Sequence, residues 1–324
     1  MSAPYLELIK LIKNGDSKTA LSIIKNENYT LPTIKKGYNT PLIWTCEFML
    51  DELAMKLIEI GKEDIGHRGK DNNTALYWAC RNNMEKVALV LIKTGKSRPE
   101  QLDKDGCTAL IWACKQKMEK VALALIKTGK SRPEHRTKLG STALIWAFHN
   151  KMENVALALI DTGKYRPDQR DKDGWTDLIW ACKQKMEKVA LVLINTGKSR
   201  PEQITKANST ALTWAIDSNL NKVALKLIEI GKSHPEQITR NKNTALNKAC
   251  KNKMTDVSLK LLDSCNSRPG YISNKFSALY WVNKNNLSLK LKTKLLEMLD
   301  KCKTHKKKRT PLKPRKTIRK RRVH

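Results

Sequence analysis

Thr108–Gly129 reads TALIWACKQKMEKVALALIKTG, and the same letters return every 34 residues on either side of it. Thr-Ala-Leu begins at Thr74, Thr108, Thr142, Thr210 and Thr244, with Thr-Pro-Leu at Thr40, Thr-Asp-Leu at Thr176 and Ser-Ala-Leu at Ser277. A glycine closes successive units at Gly61, Gly95, Gly129, Gly163, Gly197 and Gly231. A fixed period of this size marks stacked supersecondary units that bury their apolar faces against their neighbours. Within the unit, Thr108 precedes the apolar cluster Leu110–Cys114, and its hydroxyl is placed to cap the free amides of a short first helix. After the polar break Lys115–Lys117, Met118, Val121, Ala122, Leu125 and Ile126 fall at i, i+3, i+4, i+7 and i+8, the stripe of an amphipathic second helix. Gly129 is placed to end that helix in a left-handed cap. The loop Lys130–Gly140, with Pro133, returns the chain to the next unit.

Asp103, Gly106, Thr108, Leu110, Ala113, Val121, Leu125, Ile126 and Gly129 stand where the ankyrin repeat has them. The pattern recurs at least six times, and the chain resembles that family from roughly Tyr5 to Asp300. The resemblance implies an all-α ankyrin-repeat solenoid of stacked helix-turn-helix units, here with a 34-residue period, and the composition after Asp300 predicts a disordered basic C-terminal tail. The Trp-Ala-Cys and Gly-Lys-Ser-Arg-Pro-Glu variants are similar to those of the ankyrin repeat proteins of giant DNA viruses of amoebae, which implies a viral protein with a host protein as partner. Three departures stand out. The proline after the threonine survives only at Pro41, the histidine after the leucine is replaced (Ile111, Ile145, Tyr77), and the Gly-His between the helices becomes Lys117-Met118 or Asn83-Met84. The unit is also one residue longer than the family's, with the extra residue assigned to the loop around Pro133.

In chain order, residues 1–39 read as a divergent N-terminal capping repeat, 40–276 as seven ankyrin-like repeats, 277–300 as a C-terminal capping repeat and 301–324 as a disordered basic tail. No linker composition interrupts the period, so one solenoid is expected. Met1–Lys13 has no long apolar core or cleavage site, and the longest apolar run in the repeats, Val87–Ile92, is far short of the ~20 residues a bilayer requires. These features, with reduced thiols, predict an intracellular protein of the host cytoplasm or nucleus that is not secreted and makes no membrane contact.

The chain holds 63 Lys and Arg against 31 Asp and Glu, a net charge of +32. The tail carries 13 of the bases and no acid, which leaves the body at 50 against 31. A field of that sign favours acidic partners and speeds their arrival. Cys46, Cys80, Cys114, Cys182 and Cys250 share one phase. Stacked helices sit about 8–10 Å apart, beyond the ~7 Å limit on the Cα separation of a disulfide, so these read as buried free thiols. Trp44, Trp78, Trp112, Trp146, Trp180, Trp214 and Trp281 share another phase, interrupted by Lys248, and read as core packing. Trp175 stands apart at the tip of a returning loop, among the phase-mates Asn73, Cys107, Ser141, Ser209 and Asn243. It is either an interface anchor or packed on a neighbouring tip. The repeated Gly-Lys-Ser resembles the end of a phosphate loop, but the earlier glycine is absent (Val90, Ala124, Val192, Lys226) and the triplet follows a helix instead of opening one. No metal or nucleophile spacing appears among the six His, so no catalytic residue, no metal site, no cofactor and no enzyme activity are assigned.

The candidate site is a basic one. Lys36, Lys70, Lys104, Lys138, Lys172, Lys206 and Arg240 share the phase two residues before the glycine of the tip. In the resemblance, this phase and the pairs ending the first helix (Arg81-Asn82, Lys115-Gln116, His149-Asn150, Lys183-Gln184, Asp217-Ser218, Lys251-Asn252) line the concave surface on which partners are held. The candidate partner-binding residues are therefore Lys70, Lys104, Lys138, Lys172, Lys206, Arg240, Arg81, Lys115, Gln116, Lys183, Gln184 and Trp175. The row is either a solvated lysine face or a site for an acidic protein surface. The expected function is a monomeric, non-enzymatic scaffold for protein–protein interaction. The alternative is a nucleic-acid-associated protein that binds phosphate through the groove and tail. In the tail, Lys306, Lys307, Lys308 and Arg309, then Arg319, Lys320, Arg321 and Arg322, form basic clusters split by Pro311 and Pro314. Such runs read as an import signal, a nucleic-acid tether or a solvated end.

Overall fold

The computed structural model describes residues 3–25, 34–35, 37–165, 170–171, 173–264, 272–273 and 276–307, with backbone only at 3–4, 272–273, 276 and 302–307. Among the described residues the chain is all-α apart from one two-residue antiparallel pair, β1 (Ile272–Ser273) with β2 (Phe276–Ser277). The helices come in pairs. The first is α1 (Ala3–Asn14) with α2 (Ser17–Lys25). Next come α3 (Pro41–Glu47) with α4 (Asp51–Ile60), and α5 (Ala75–Arg81) with α6 (Glu85–Lys93). They are followed by α7 (Ala109–Lys115) with α8 (Glu119–Lys127), α9 (Ala143–His149) with α10 (Glu153–Asp161), and α11 (Asp177–Lys183) with α12 (Glu187–Asn195). The last pairs are α13 (Ala211–Asp217) with α14 (Asn221–Ile230), α15 (Ala245–Lys251) with α16 (Thr255–Asp263), and α17 (Ala278–Lys284) with α18 (Leu289–Lys307).

The expected caps are present. The hydroxyls of Thr40, Thr74, Thr108, Thr142, Thr176, Thr210 and Thr244 each accept a hydrogen bond from the amide three residues on, and Ser277 does the same for Tyr280. The turn between the helices takes a left-handed residue in each of the nine described pairs, and after Gly15 in the first none is glycine: Met49, Asn83, Lys117, Lys151, Lys185, Asn219, Lys253 and Asn286 have φ between 49° and 61°. The helical hydrogen bonds on either side hold that geometry, as in Met118 N–H to the Ala113 carbonyl at 2.9 Å. The returning loop carries a second left-handed residue immediately before proline, at Arg98, Arg132 and His234.

The chain divides into two compact units, Met1–Lys206 and Ala207–His324. In the first, first helices pack on first helices (α3 on α5, α5 on α7, α7 on α9, α9 on α11) and second helices on second helices (α4 on α6, through to α10 on α12). The second unit repeats this with α13, α15 and α17 and with α14, α16 and α18. The core is the facing apolar residues: in one layer Leu110, Ala113, Cys114, Met118, Val121, Ala122 and Leu125 are all buried. Cys46, Cys80, Cys114, Cys182 and Cys250 are buried and free. Burial pushes the Cys182 thiol up to about 12 and Cys250 up to about 11.

Two elements differ from expectation. The tryptophan row is not a closed core: among the described positions Trp180 alone counts as buried, at 8% exposure, while its mates are half-buried. Helix α18 runs on to Lys307, past Asp300 where the last unit was expected to end. Buried Leu291 and Leu295 anchor its first turns on the second unit, and a lysine-rich end suits a helix C-terminus. No described helix is long and apolar enough to cross a membrane.

Candidate protein-binding groove

The site is built from two recurring pieces of the first unit, the loop tips and the ends of the first helices. Each tip is closed by a side chain that satisfies its own backbone. Asp103 Oδ1 accepts from the amides of Asp105 (2.9 Å) and Cys107 (2.7 Å), and Asp171 Oδ1 does the same for Asp173 and Trp175. Thr137 takes this role in the next tip, accepting from Ser141 N–H at 3.1 Å. Tips are tied to one another through the lysine phase. Lys138 N–H donates to the Asp105 carbonyl at 3.1 Å and Lys206 N–H to that of Asp173 at 2.9 Å. In the second unit Arg240 N–H donates to the Ala207 carbonyl at 3.1 Å. The backbone of this phase therefore holds tips together and the side chains are left exposed, as found for Lys70, Lys104, Lys138, Lys206 and Arg240. Lys206 also pairs with Asp173 at 3.5 Å. Lys172 and Lys36 lie outside the described residues.

On the first helices the tryptophans alternate with the cations that end each helix. The Arg81 guanidinium lies 4.9 Å from the Trp78 ring and 5.5 Å from Trp112. The Lys115 ammonium lies 4.4 Å from Trp112 and 5.4 Å from Trp146. His149 continues the series at 5.7 Å from Trp146 and 4.3 Å from Trp180. Lys183 closes it over Trp180 (4.6 Å) and Trp175 (4.5 Å). A cation over an indole face gains from the ring quadrupole while its own head stays wet. This is why the row sits half-buried beneath charged caps instead of sealed in a core. Trp175 stacks on Trp180 at 4.8 Å, and that extra ring is what buries Trp180. Trp175 thus packs on the first helix of its own layer instead of on a neighbouring tip.

The polar residues that follow the cations are staples. Asn82 donates to the Cys46 and Glu47 carbonyls, Gln116 to Arg81 (2.7 Å) and Asn150 to Cys114 and Lys115. In the second unit, Asn252 donates to Ile216 and Asn285 to Cys250 and Lys251. Each amide caps the orphan carbonyls at the end of the preceding layer's first helix. Gln116 thus spends its amide within the stack. Gln184, half-buried, occupies the same position. Sequence reasoning grouped these residues with the groove; their recurrence directly after each helix end was the available signal.

Tips and helices meet in a cleft of about 360 Å³ lined by Cys107, Ile111, Trp112, Lys115, Lys138, Leu139 and Trp146, with Asp105 and Ser141 at its edge. Two predicted residues, Lys115 and Lys138, come from different elements into this one space. Its floor is braced by Trp112, whose Nε1–H donates to Asp103 Oδ2 at 3.2 Å. Burial, then the Asp103 carboxylate, pushes the Cys107 thiol up to about 11, so it is a neutral wall of the cleft. Leu139, which the sequence did not single out, is 75% exposed on the rim. Lys306 and Lys307 lie in α18 with undescribed side chains, and Lys308, Arg309, Arg319, Lys320, Arg321 and Arg322 lie outside the described residues.

No curated protein matches the chain. Residues 95–171, which contain the α7 and α9 layers and the cleft between them, match the family model for ankyrin repeats, three copies. The match shows ankyrin repeats over residues 95–171, and stacked helical pairs continue on both sides of that segment.

Proposed function

We propose that the chain is a non-enzymatic interaction scaffold that holds an acidic protein surface on the basic inner face of its first unit. Ankyrin repeats are in general protein–protein interaction modules. The observation that carries the acidic preference is the convergence of Lys115 and Lys138 on one cleft, where they outnumber its single acid, Asp105. Arg81 and Lys183 extend the positive charge along the first helices. A carboxylate entering such a cleft is drawn by several cations in a partly desolvated space, where Coulomb attraction is less screened than on an open surface. The second reading, phosphate binding, draws on the same row, because half-buried indoles beside cations are also platforms on which bases stack.

A labelled glutamate-rich peptide and a single-stranded oligonucleotide of equal charge, each titrated into the full chain, separate the two. The scaffold reading expects the peptide to bind, and Lys115→Glu with Lys138→Glu to abolish binding while the far-ultraviolet circular dichroism stays unchanged. Binding of the oligonucleotide alone, with a steep loss in salt, overturns it. For the tail, we propose an import signal on the basis of its two basic clusters. Residues 301–324 fused to an inert fluorescent protein too large to diffuse through nuclear pores should concentrate it in the nucleus, and cytoplasmic distribution refutes the assignment.

A further inference from the structure

We infer that the cleft between α7, α9 and the Lys138–Gly140 tip is an anchor pocket for an acidic peptide segment carrying one bulky apolar side chain, which packs against Leu139, Trp112 and Trp146 while its carboxylates reach Lys115 and Lys138. The inference rests on the acidic-partner reading above and adds the apolar anchor. Its first support is in the sequence. The position of Leu139 is Asp71, Asp105 and Asp173 in three other tips and Gly37, Ala207 and Asn241 in three more, so that none of these carries a large apolar residue there. Only here does the Lys-Asp pair of the tip become Lys-Leu, which removes a negative charge and adds an apolar side chain at one stroke.

The second support is that this leucine is displayed on a rigid tip. Thr137 N–H donates to the Ser141 carbonyl at 2.9 Å and Gly140 N–H to the Thr137 carbonyl at 2.8 Å, closing the turn. Arg136 Nε–H donates to the Gly140 carbonyl at 3.2 Å. Lys138 N–H fastens the turn to the neighbouring tip. Gly140 suits the turn, with a left-handed φ of +83°. A tip backbone held this firmly needs no further ordering when a partner binds, so more of the transfer free energy of covering Leu139 is kept.

The third support is the cleft itself. Its volume of about 360 Å³ lies in the range of pockets that take a defined group, and its lining is two indoles, Ile111 and Leu139 with one acid, Asp105, against two lysines. Charge complementarity therefore selects carboxylates and the apolar lining selects a large aliphatic or aromatic group between them. A uniformly acidic chain would leave Leu139 in water, and a neutral apolar one would leave both lysines unanswered.

The test uses two short peptides with identical glutamate content, one with a central Phe and one with Ser, titrated into the full chain at about 0.05 and 0.5 M salt, where the Debye length falls to a few ångströms. The Phe peptide should bind roughly tenfold or more tightly, as expected for burying one large apolar side chain, and should keep its advantage in high salt. It should also perturb the tryptophan fluorescence. Leu139→Asp, the residue found at three other tips, should erase the difference between the peptides, and Leu139→Met should retain it, which controls for folding. Equal affinity of the two peptides for the unaltered chain overturns the anchor pocket and leaves the acidic-partner reading standing. Failure of both peptides to bind overturns the two together.

Discussion

Asp177 offers the sharpest test of how this stack is held together. It is the first residue of α11, at a position filled elsewhere by Pro41, Ala75, Ala109, Ala143, Ala211, Ala245 and Ala278. Its side chain is only 9% exposed, beside a small cavity lined by Glu134, Arg136, Tyr165, Arg170 and Asp171. Burial pushes its carboxyl up from 3.8 to about 7, with Arg136 opposing. The unfolded chain releases this proton near 3.8 and the folded chain near 7. The acid's contribution to stability is therefore complete below about pH 4 and is lost as pH rises through 7. A gap of about three units is worth roughly 4 kcal/mol. Asp177→Ala and Asp177→Asn should gain on the unaltered protein as pH rises from 4 to 8, by about 2–4 kcal/mol in all, the lower figure allowing for relaxation around the charge, with roughly a third of the gain already present at pH 5. Urea unfolding followed by tryptophan fluorescence from pH 4 to 8 measures this. Glu63, which burial pushes up to about 8, drives stability in the same direction. It is common to all three proteins, so it cancels in the difference. A difference between variant and parent that does not change with pH would refute the assignment of a buried, late-titrating Asp177.

Lys117→Gly should raise stability by about 0.5–1 kcal/mol, because Lys117 sits at φ 60°, where a side chain costs about 1–2 kcal/mol and the looser unfolded glycine returns part of the gain. A lower urea midpoint would show that the lysine side chain makes a contact that outweighs the strain. Gln116→Ala removes the 2.7 Å hydrogen bond to the Arg81 carbonyl and should cost about 1–2 kcal/mol, with faster hydrogen exchange at the end of α5; unchanged exchange would mean that water replaces the amide fully. Trp175→Ala should cost about 1–3 kcal/mol, since its ring covers Trp180 and lies under Lys183. Retained stability combined with lost partner binding would instead make it an interface anchor.

The period, the two helices of each layer, their threonine caps and the buried cysteine row were legible in the chain, because each depends on spacing within one unit. Thr108 must meet the amide of Ile111 whatever lies in the next layer, and Val121, Ala122 and Leu125 share one face of a helix by geometry alone. What the sequence left undecided are relations between layers. Lys115 reaches both Trp112 and Trp146, Gln116 reaches back to Arg81, and Trp175 lies on Trp180. These partners are set by the offset and twist with which one layer docks on another, and no spacing within a unit encodes that. The same ambiguity made a row of tryptophans look like core, since a packed phase and a cation-covered phase share a period. It also hid Leu139, which reads as one more apolar letter until the tip is seen to hold it out beside the cleft.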